Sequence, residues 1–172
     1  RIEEAIVHYT ASLRVRPDSA TNRACLGIAL QQNDQLEQAI AEYRKAVALD
    51  PEFAKAYSNL GVTLQQSGRL DEAIHAYQQA ARISPGESIV FYNLGAALVR
   101  QGRFDEGTAN AQQALRINPN YAEAHKNQAI VWLLMGDFQR GWPEYEWRWK
   151  CPGASLPRFS QPRWDGASLA GL

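Results

Sequence analysis

Apolar residues along this chain recur at helical spacing, and the larger pattern that they form repeats every 34 residues. Four prolines mark the period: Pro17, Pro51, Pro85 and Pro119. Between successive prolines lie two amphipathic segments of helical length, separated by a short turn. One such unit cannot bury its own apolar face, so a fixed period of this length predicts a stack of similar units.

Each unit is predicted to contain two helices. The first carries a leucine followed by a glycine, as in Leu60-Gly61, which lets a neighbouring helix approach closely. A second glycine, Gly68 in the same unit, ends this helix because glycine adopts positive φ at little cost. Proline stops the second helix, since it cannot donate the next backbone hydrogen bond. The predicted divisions are a half unit at 1–19, units at 20–53, 54–87, 88–121 and 122–150, and an extended tail or linker at 151–172.

Residues 54–87 resemble the tetratricopeptide repeat at nearly every signature position. The matching residues are Tyr57, Leu60, Gly61, Gly68, Leu70, Ala73, Tyr77, Ala80 and Pro85. The resemblance covers residues 1 to about 150. It implies an all-α, right-handed solenoid of antiparallel helix pairs, with a concave groove that binds a protein or peptide segment.

Two parts of the array depart from the regular pattern. Unit three has Gly107 and Ala111 where other units have alanine and tyrosine, and these smaller residues predict looser packing. At the start, residues 3–16 resemble a second helix without its partner, so we expect the chain to be part of a longer one. Self-association through this incompletely covered edge is a further expectation. Its apolar residues are Ile6, Tyr9 and Leu13.

The C-terminal part holds all five tryptophans and changes character. Three aromatic residues recur there at helical spacing and are expected to pack onto the stack: Trp142, Tyr145 and Trp149. Pro143 lies among them and is tolerable only near the first turn of a helix. After residue 151 the segment is rich in proline, and we expect it to be extended, with Phe159 and Trp164 as anchors.

This tail also resembles the bridge in bacterial proteins whose tetratricopeptide repeats precede a glycosyltransferase-like, nucleotide-sugar-binding domain. The resemblance lies in residues 136–138, 141–142, 145–149, 161–166 and 169–171. It implies that the chain is a substrate-presenting arm of a glycosyltransferase-associated protein. It supplies no active site within these residues.

Charge and composition exclude several classes of function. Lys and Arg together number 18, as do Asp and Glu, so the formal net charge is zero. A general binder of nucleic acid or of an anionic membrane normally has a basic excess, so neither is expected as a partner. Cys25 and Cys151 are far apart and fit no metal-ligand spacing. They are expected to be free thiols in a reducing compartment, which favours a cytoplasmic location.

No constellation typical of an enzyme is present, and we expect neither a cofactor nor a metal. The histidines are scattered at His8, His75 and His125, without a ligand partner one helical turn away. Paired acids such as Asp71-Glu72 open second helices, where carboxylates are expected to cap free N–H groups rather than to catalyse.

The candidate binding residues follow from the tetratricopeptide resemblance, which implies that the sixth position of each first helix faces the groove. Asn59, Asn93 and Asn127 occupy this position. A carboxamide both donates and accepts hydrogen bonds, so it can bind the backbone of an extended peptide whatever the peptide's side chains. This row resembles the peptide-binding asparagines of O-linked N-acetylglucosamine transferase repeats. The alternative is that asparagine is simply common at this position.

Groove-facing neighbours of these asparagines, by the same implied geometry, are Lys55, Tyr92, Arg100 and Lys126. The three cations would favour an acidic peptide. The leading hypothesis is therefore a module that binds an extended, acidic protein or peptide segment. The alternatives are the substrate-presenting arm and a structural spacer or self-associating scaffold.

Overall fold

The structure is a computed structural model that describes residues 1–154. Nine α-helices and one short 3-10 helix lie in this range. The α-helices are α1 (Ile2–Val15), α2 (Ala20–Gln32), α3 (Leu36–Leu49), α4 (Ala54–Gln66), α5 (Leu70–Ile83), α6 (Ser88–Arg100), α7 (Phe104–Ile117), α8 (Ala122–Leu134) and α9 (Phe138–Tyr145), and the 3-10 helix is Glu146–Lys150. The predicted extended tail with Phe159 and Trp164 lies, from residue 155 onward, outside the described residues.

Short turns join the two helices of each unit, and a residue in the left-handed backbone region ends each of these turns. Gly68, Gly102 and Gly136 have φ values of 82°, 79° and 80°, as the sequence predicts. Asp34 takes the same role in the first full unit with φ 58°. A short polar side chain can tolerate this region, although glycine occupies it at lower cost.

Helix contacts define the curvature of the array. The two helices of each unit pack together, and each second helix also contacts the first helix of the next unit. The first helices α2, α4, α6 and α8 contact one another in succession, whereas second helices make no such contact within residues 1–154. Helices that are closer together line the inner side of a curve. The fold is therefore an all-α solenoid whose inner wall consists of first helices.

The core of the first two full units is built on a tyrosine placed against a glycine. Tyr43 and Tyr77 are 0% and 1% exposed. A Cβ atom on Gly61 would lie 2.6 Å from the Tyr77 ring, and one on Gly27 would lie 2.8 Å from the Tyr43 ring. Glycine is thus required on the first helix because the ring of the second helix occupies the space of its side chain.

Unit three is packed differently, and the expectation of looser packing is wrong for the backbones. A Cβ atom on Gly95 would lie 2.9 Å from the carbonyl oxygen of Gly107, so α6 and α7 approach each other backbone to backbone. This approach is possible because Ala111 replaces the tyrosine and Gly107 replaces an alanine. The smaller side chains bring the helices together rather than loosening them.

The acidic pairs at the start of second helices do not cap them, contrary to the expectation. α5 and α7 have no side-chain cap. Instead, Glu72 accepts a hydrogen bond from Arg69 at 2.7 Å, and Glu106 accepts one from Arg103 at 2.7 Å. A guanidinium three residues earlier offers a charged donor, which is a stronger partner than a neutral backbone N–H.

The C-terminal aromatic residues also differ from their prediction. Trp142 is 57% exposed, so it does not pack onto the stack. Pro143 is the sixth residue of α9 rather than part of its first turn, and the α-helix ends two residues later in the 3-10 helix. The 3-10 helix changes the register of the side chains that follow. As a result Trp147 stacks on His125 of α8, with ring centroids 3.9 Å apart.

Candidate peptide-binding groove

The inner wall of α4, α6 and α8 presents one asparagine from each helix. Asn59, Asn93 and Asn127 are all half-buried and stand at the same position in their helices, because the helices begin 34 residues apart. Each side chain therefore retains some contact with solvent. The structure divides the three residues between two separate cavities.

The first cavity lies between α4 and α6 and has a volume of about 570 Å³. Lys55, Asn59 and Asn93 all line it, so the structure brings these three predicted residues together. Glu87 lines the same cavity and was not predicted. Its carboxylate opposes the positive charge of Lys55, so this part of the groove is not simply basic.

The second cavity lies among α6, α7 and α8 and has a volume of about 230 Å³. It is lined by Tyr92, Arg100 and Asn127 from the predicted set. Burial raises the pKa of the Tyr92 hydroxyl, and a hydrogen bond with the Asn127 side chain partly offsets this shift. The Tyr92 ring also contacts Tyr121, with centroids 5.0 Å apart, which fixes one side of the cavity. Lys126 is half-buried and lines neither cavity.

Residues of the second cavity that sequence reasoning missed lie deeper, on the second helix and on α8. They are Gly107, Thr108, Ala111, Gln128 and Val131. A signal for them exists in the sequence, because four of these positions depart from the residues of unit two. The consequence of the departures depends on how far the helices move together, which the repeat pattern does not specify.

Chemistry beyond binding has little support in the described residues. Among them, no group of three or more His, Cys, Asp or Glu side chains is close enough to hold a metal ion. His125 contacts Glu144 and the carbonyl oxygen of Pro119, and Trp147 covers its ring. Cys25 and Cys151 are free and half-buried. Within residues 1–154, no helix has both the length and the apolar character to span a membrane.

Comparison with known proteins identifies the family. A TPR repeat model matches residues 29–68, and a tetratricopeptide repeat model matches residues 52–119. Residues 29–119 therefore belong to the tetratricopeptide repeat family, whose members are typically non-catalytic scaffolds. A search of curated proteins found no match. The matched range ends before the segment that resembles a glycosyltransferase bridge, so this resemblance remains a prediction.

Solved structures support the same fold over most of the chain. MamA is similar with a TM-score of 0.81 and 22% identity, covering 85% of each chain. YrrB, a TPR protein with an unusual peptide-binding site, has a TM-score of 0.75 and 17% identity, covering 87% of this chain and 77% of its own. Pseudomonas aeruginosa pilF has a TM-score of 0.78 and 26% identity, covering 85% and 67% respectively.

Proposed function

We propose that this chain is a protein-interaction module that binds an extended segment of a partner protein along α4, α6 and α8. The observation that carries the proposal is the row of half-buried asparagines, Asn59, Asn93 and Asn127, at one position on successive inner helices. An extended chain offers a backbone donor and acceptor in every residue, so a row of carboxamides suits it without reading its sequence.

Charge gives the proposed groove a preference for acidic segments. Arg100 is exposed and lines the second cavity, where a partner carboxylate could approach its guanidinium. Lys55 contributes at the first cavity, although Glu87 offsets part of its charge. Lys126, on α8, would act at the far end of the groove. Such surface charges set partner preference and association rate more than affinity.

The test is a triple substitution of Asn59, Asn93 and Asn127 by alanine. A panel of fluorescent acidic peptides, with matched peptides in which Asp and Glu are amidated, serves as the probe in anisotropy titrations. We expect the triple variant to bind at least tenfold more weakly, since each lost hydrogen bond is worth about 0.5–1.5 kcal/mol. Helical content by circular dichroism should stay unchanged, because none of the three side chains belongs to the buried core.

A matched control removes three carboxamides from the outer side of the array. Gln38, Gln78 and Gln112 are exposed residues of second helices, and their replacement by alanine should leave peptide affinity unchanged. Equal affinity of the asparagine variant and wild type, with intact helices, would contradict the proposal. Charge reversal by Arg100→Glu should weaken acidic peptides more than their amidated partners.

Self-association is a second candidate, favoured by the apolar surface of α1. Val7 and Val15 are 68% and 80% exposed on this helix. Exposed apolar residues on one terminal helix could pair with a second copy. Light scattering on wild type and on the Val7→Lys, Val15→Lys variant tests the idea, because a monomer at all concentrations in both proteins contradicts it.

A further inference from the structure

We infer that the second cavity is an anchor pocket for one large apolar side chain, best filled by phenylalanine, of an extended acidic partner segment. The inference rests on the proposed function and adds a specificity to it. The asparagine row binds any extended backbone, whereas a pocket selects one side chain. The cavity therefore determines which segments the groove prefers and in which register they lie.

The cavity exists because unit three and the start of unit four have lost the side chains that fill the same space in the preceding units. Equivalent positions stand 34 residues apart. The four changes are Ala73 to Gly107, Ile74 to Thr108, Tyr77 to Ala111 and Leu94 to Gln128. All four of these cavity residues are smaller or more polar than their counterparts, and all four line the second cavity.

The preceding unit shows what size of group fits such a space. In unit two the ring of Tyr77 lies between α4 and α5 and is 1% exposed. In unit three the closer approach of α6 and α7 takes up part of this volume, and about 230 Å³ remains. An apolar cavity of about 150 Å³ is large enough to bind benzene. The remaining space therefore accommodates an aromatic ring supplied from outside.

The walls and the mouth of the cavity differ in chemistry. Ala96, Val99, Ala111 and Val131 give apolar walls, together with the glycines of α6 and α7. Burial of an apolar side chain against them removes its surface from water. At the mouth, Arg100 and Ile130 are exposed on the inner wall. A segment with phenylalanine beside an acidic residue matches both features, because the ring enters while the carboxylate faces the guanidinium.

The experiment compares two synthetic acidic peptides that differ only by phenylalanine or alanine at one central position. Anisotropy titration on the full chain should give roughly tenfold to hundredfold weaker binding for the alanine peptide, the range for burying one such side chain. The Ala111→Tyr variant returns the ring of unit two to unit three and should remove most of this difference. Ala109→Tyr adds the same ring on the exposed face of α7 and should preserve it.

A second variant guards against misfolding of Ala111→Tyr. Thr108→Ile restores the residue of unit two with a smaller change in volume, and it should reduce the preference for phenylalanine while circular dichroism remains that of wild type. Equal binding of the two peptides to wild type, with both still weakened by the triple asparagine substitution, overturns the pocket but leaves the proposed function standing. Loss of the asparagine effect as well overturns both.

Other occupants of the cavity would have distinct outcomes. A preference for the phenylalanine peptide that appears only after Phe159 and Trp164 are replaced by alanine would assign the pocket to the chain's own tail. A dimer that Ala111→Tyr dissociates would assign it to a second copy. Either result overturns an external segment as the occupant.

Discussion

Units two and three of this solenoid share a backbone plan but fill their interiors in opposite ways. In unit two, Tyr77 occupies the space beside Gly61 and closes the interior with a ring. In unit three, Ala111 leaves this space, Gly95 and Gly107 bring the backbones together, and a cavity remains on the groove side. The fold therefore tolerates loss of its central ring where two glycines permit closer helices. Specificity for a partner can arise at that point without a change of fold.

The largest expected effect comes from removing the ring of unit two. Tyr77→Ala should lower the free energy of unfolding by about 3–5 kcal/mol, as for other large buried aromatic residues, because Ala73 and Gly61 stay apart and a cavity is left. At the equivalent place in unit three, Ala111→Gly should cost only about 1 kcal/mol. Urea denaturation followed by circular dichroism measures both. Similar losses for the two variants would contradict the difference in packing.

The glycines of the two first helices provide an intermediate effect. A Cβ atom on Gly61 would lie 2.6 Å from the Tyr77 ring, and one on Gly95 would lie 2.9 Å from the carbonyl oxygen of Gly107. Both alanine variants should lose about 1–3 kcal/mol by overpacking. We expect Gly95→Ala to lose more, because a backbone carbonyl can yield only by separating two helices. Thermal and urea unfolding of the two variants side by side decide the order.

Tyrosine fluorescence and hydrogen exchange can locate each loss. Gly61→Ala should increase exchange in α4 and α5, and Gly95→Ala in α6 and α7, since each unit contacts only its neighbours. Exchange that rises uniformly along the array would show that the units unfold together, and the two packing schemes could not then be compared separately.

The smallest effect concerns the acidic residues at the start of the second helices. Glu72 accepts hydrogen bonds from Arg69 of its own unit and from Arg44 of the preceding unit, whereas Glu106 accepts its hydrogen bonds from Arg103. The hydrogen bond with Arg69 holds the pKa of Glu72 below 4.5, and the one with Arg103 does the same for Glu106. Glu72→Gln should therefore lower Tm slightly more than Glu106→Gln.

The pH dependence of this effect follows from the direction of the shift. A carboxyl whose pKa is lower in the folded state stabilises the fold above its unfolded pKa and loses this contribution as the pH falls through its folded pKa. The Tm difference between wild type and Glu72→Gln should thus be present at neutral pH and shrink below about 4.5. Melting curves across this range, at low and high salt, measure it. A difference that grows in acid would contradict the assignment.

Much of the fold was accessible from the sequence because its signals are local. The register of the helices follows from the spacing of Leu60, Gly68 and Pro85 and of their counterparts in other units. The C-terminal unit was predicted less well. Pro143 falls in the interior of α9, and the 3-10 helix that follows moves Trp147, rather than Trp142, onto α8. A change from 3.6 to 3.0 residues per turn alters every later side-chain direction, and the spacing of the aromatic residues does not reveal it.

The candidate site divides in the same way between sequence and structure. By itself, the sequence determined the class of solenoid and the equivalent positions of Asn59, Asn93 and Asn127, because a repeat of constant length copies each position into the same place of each unit. Only the tertiary structure decided that the space vacated at Ala111 remains partly open. Whether missing side-chain volume becomes a cavity or is closed depends on the distances among α6, α7 and α8, and these are set by contacts between helices rather than by any one segment.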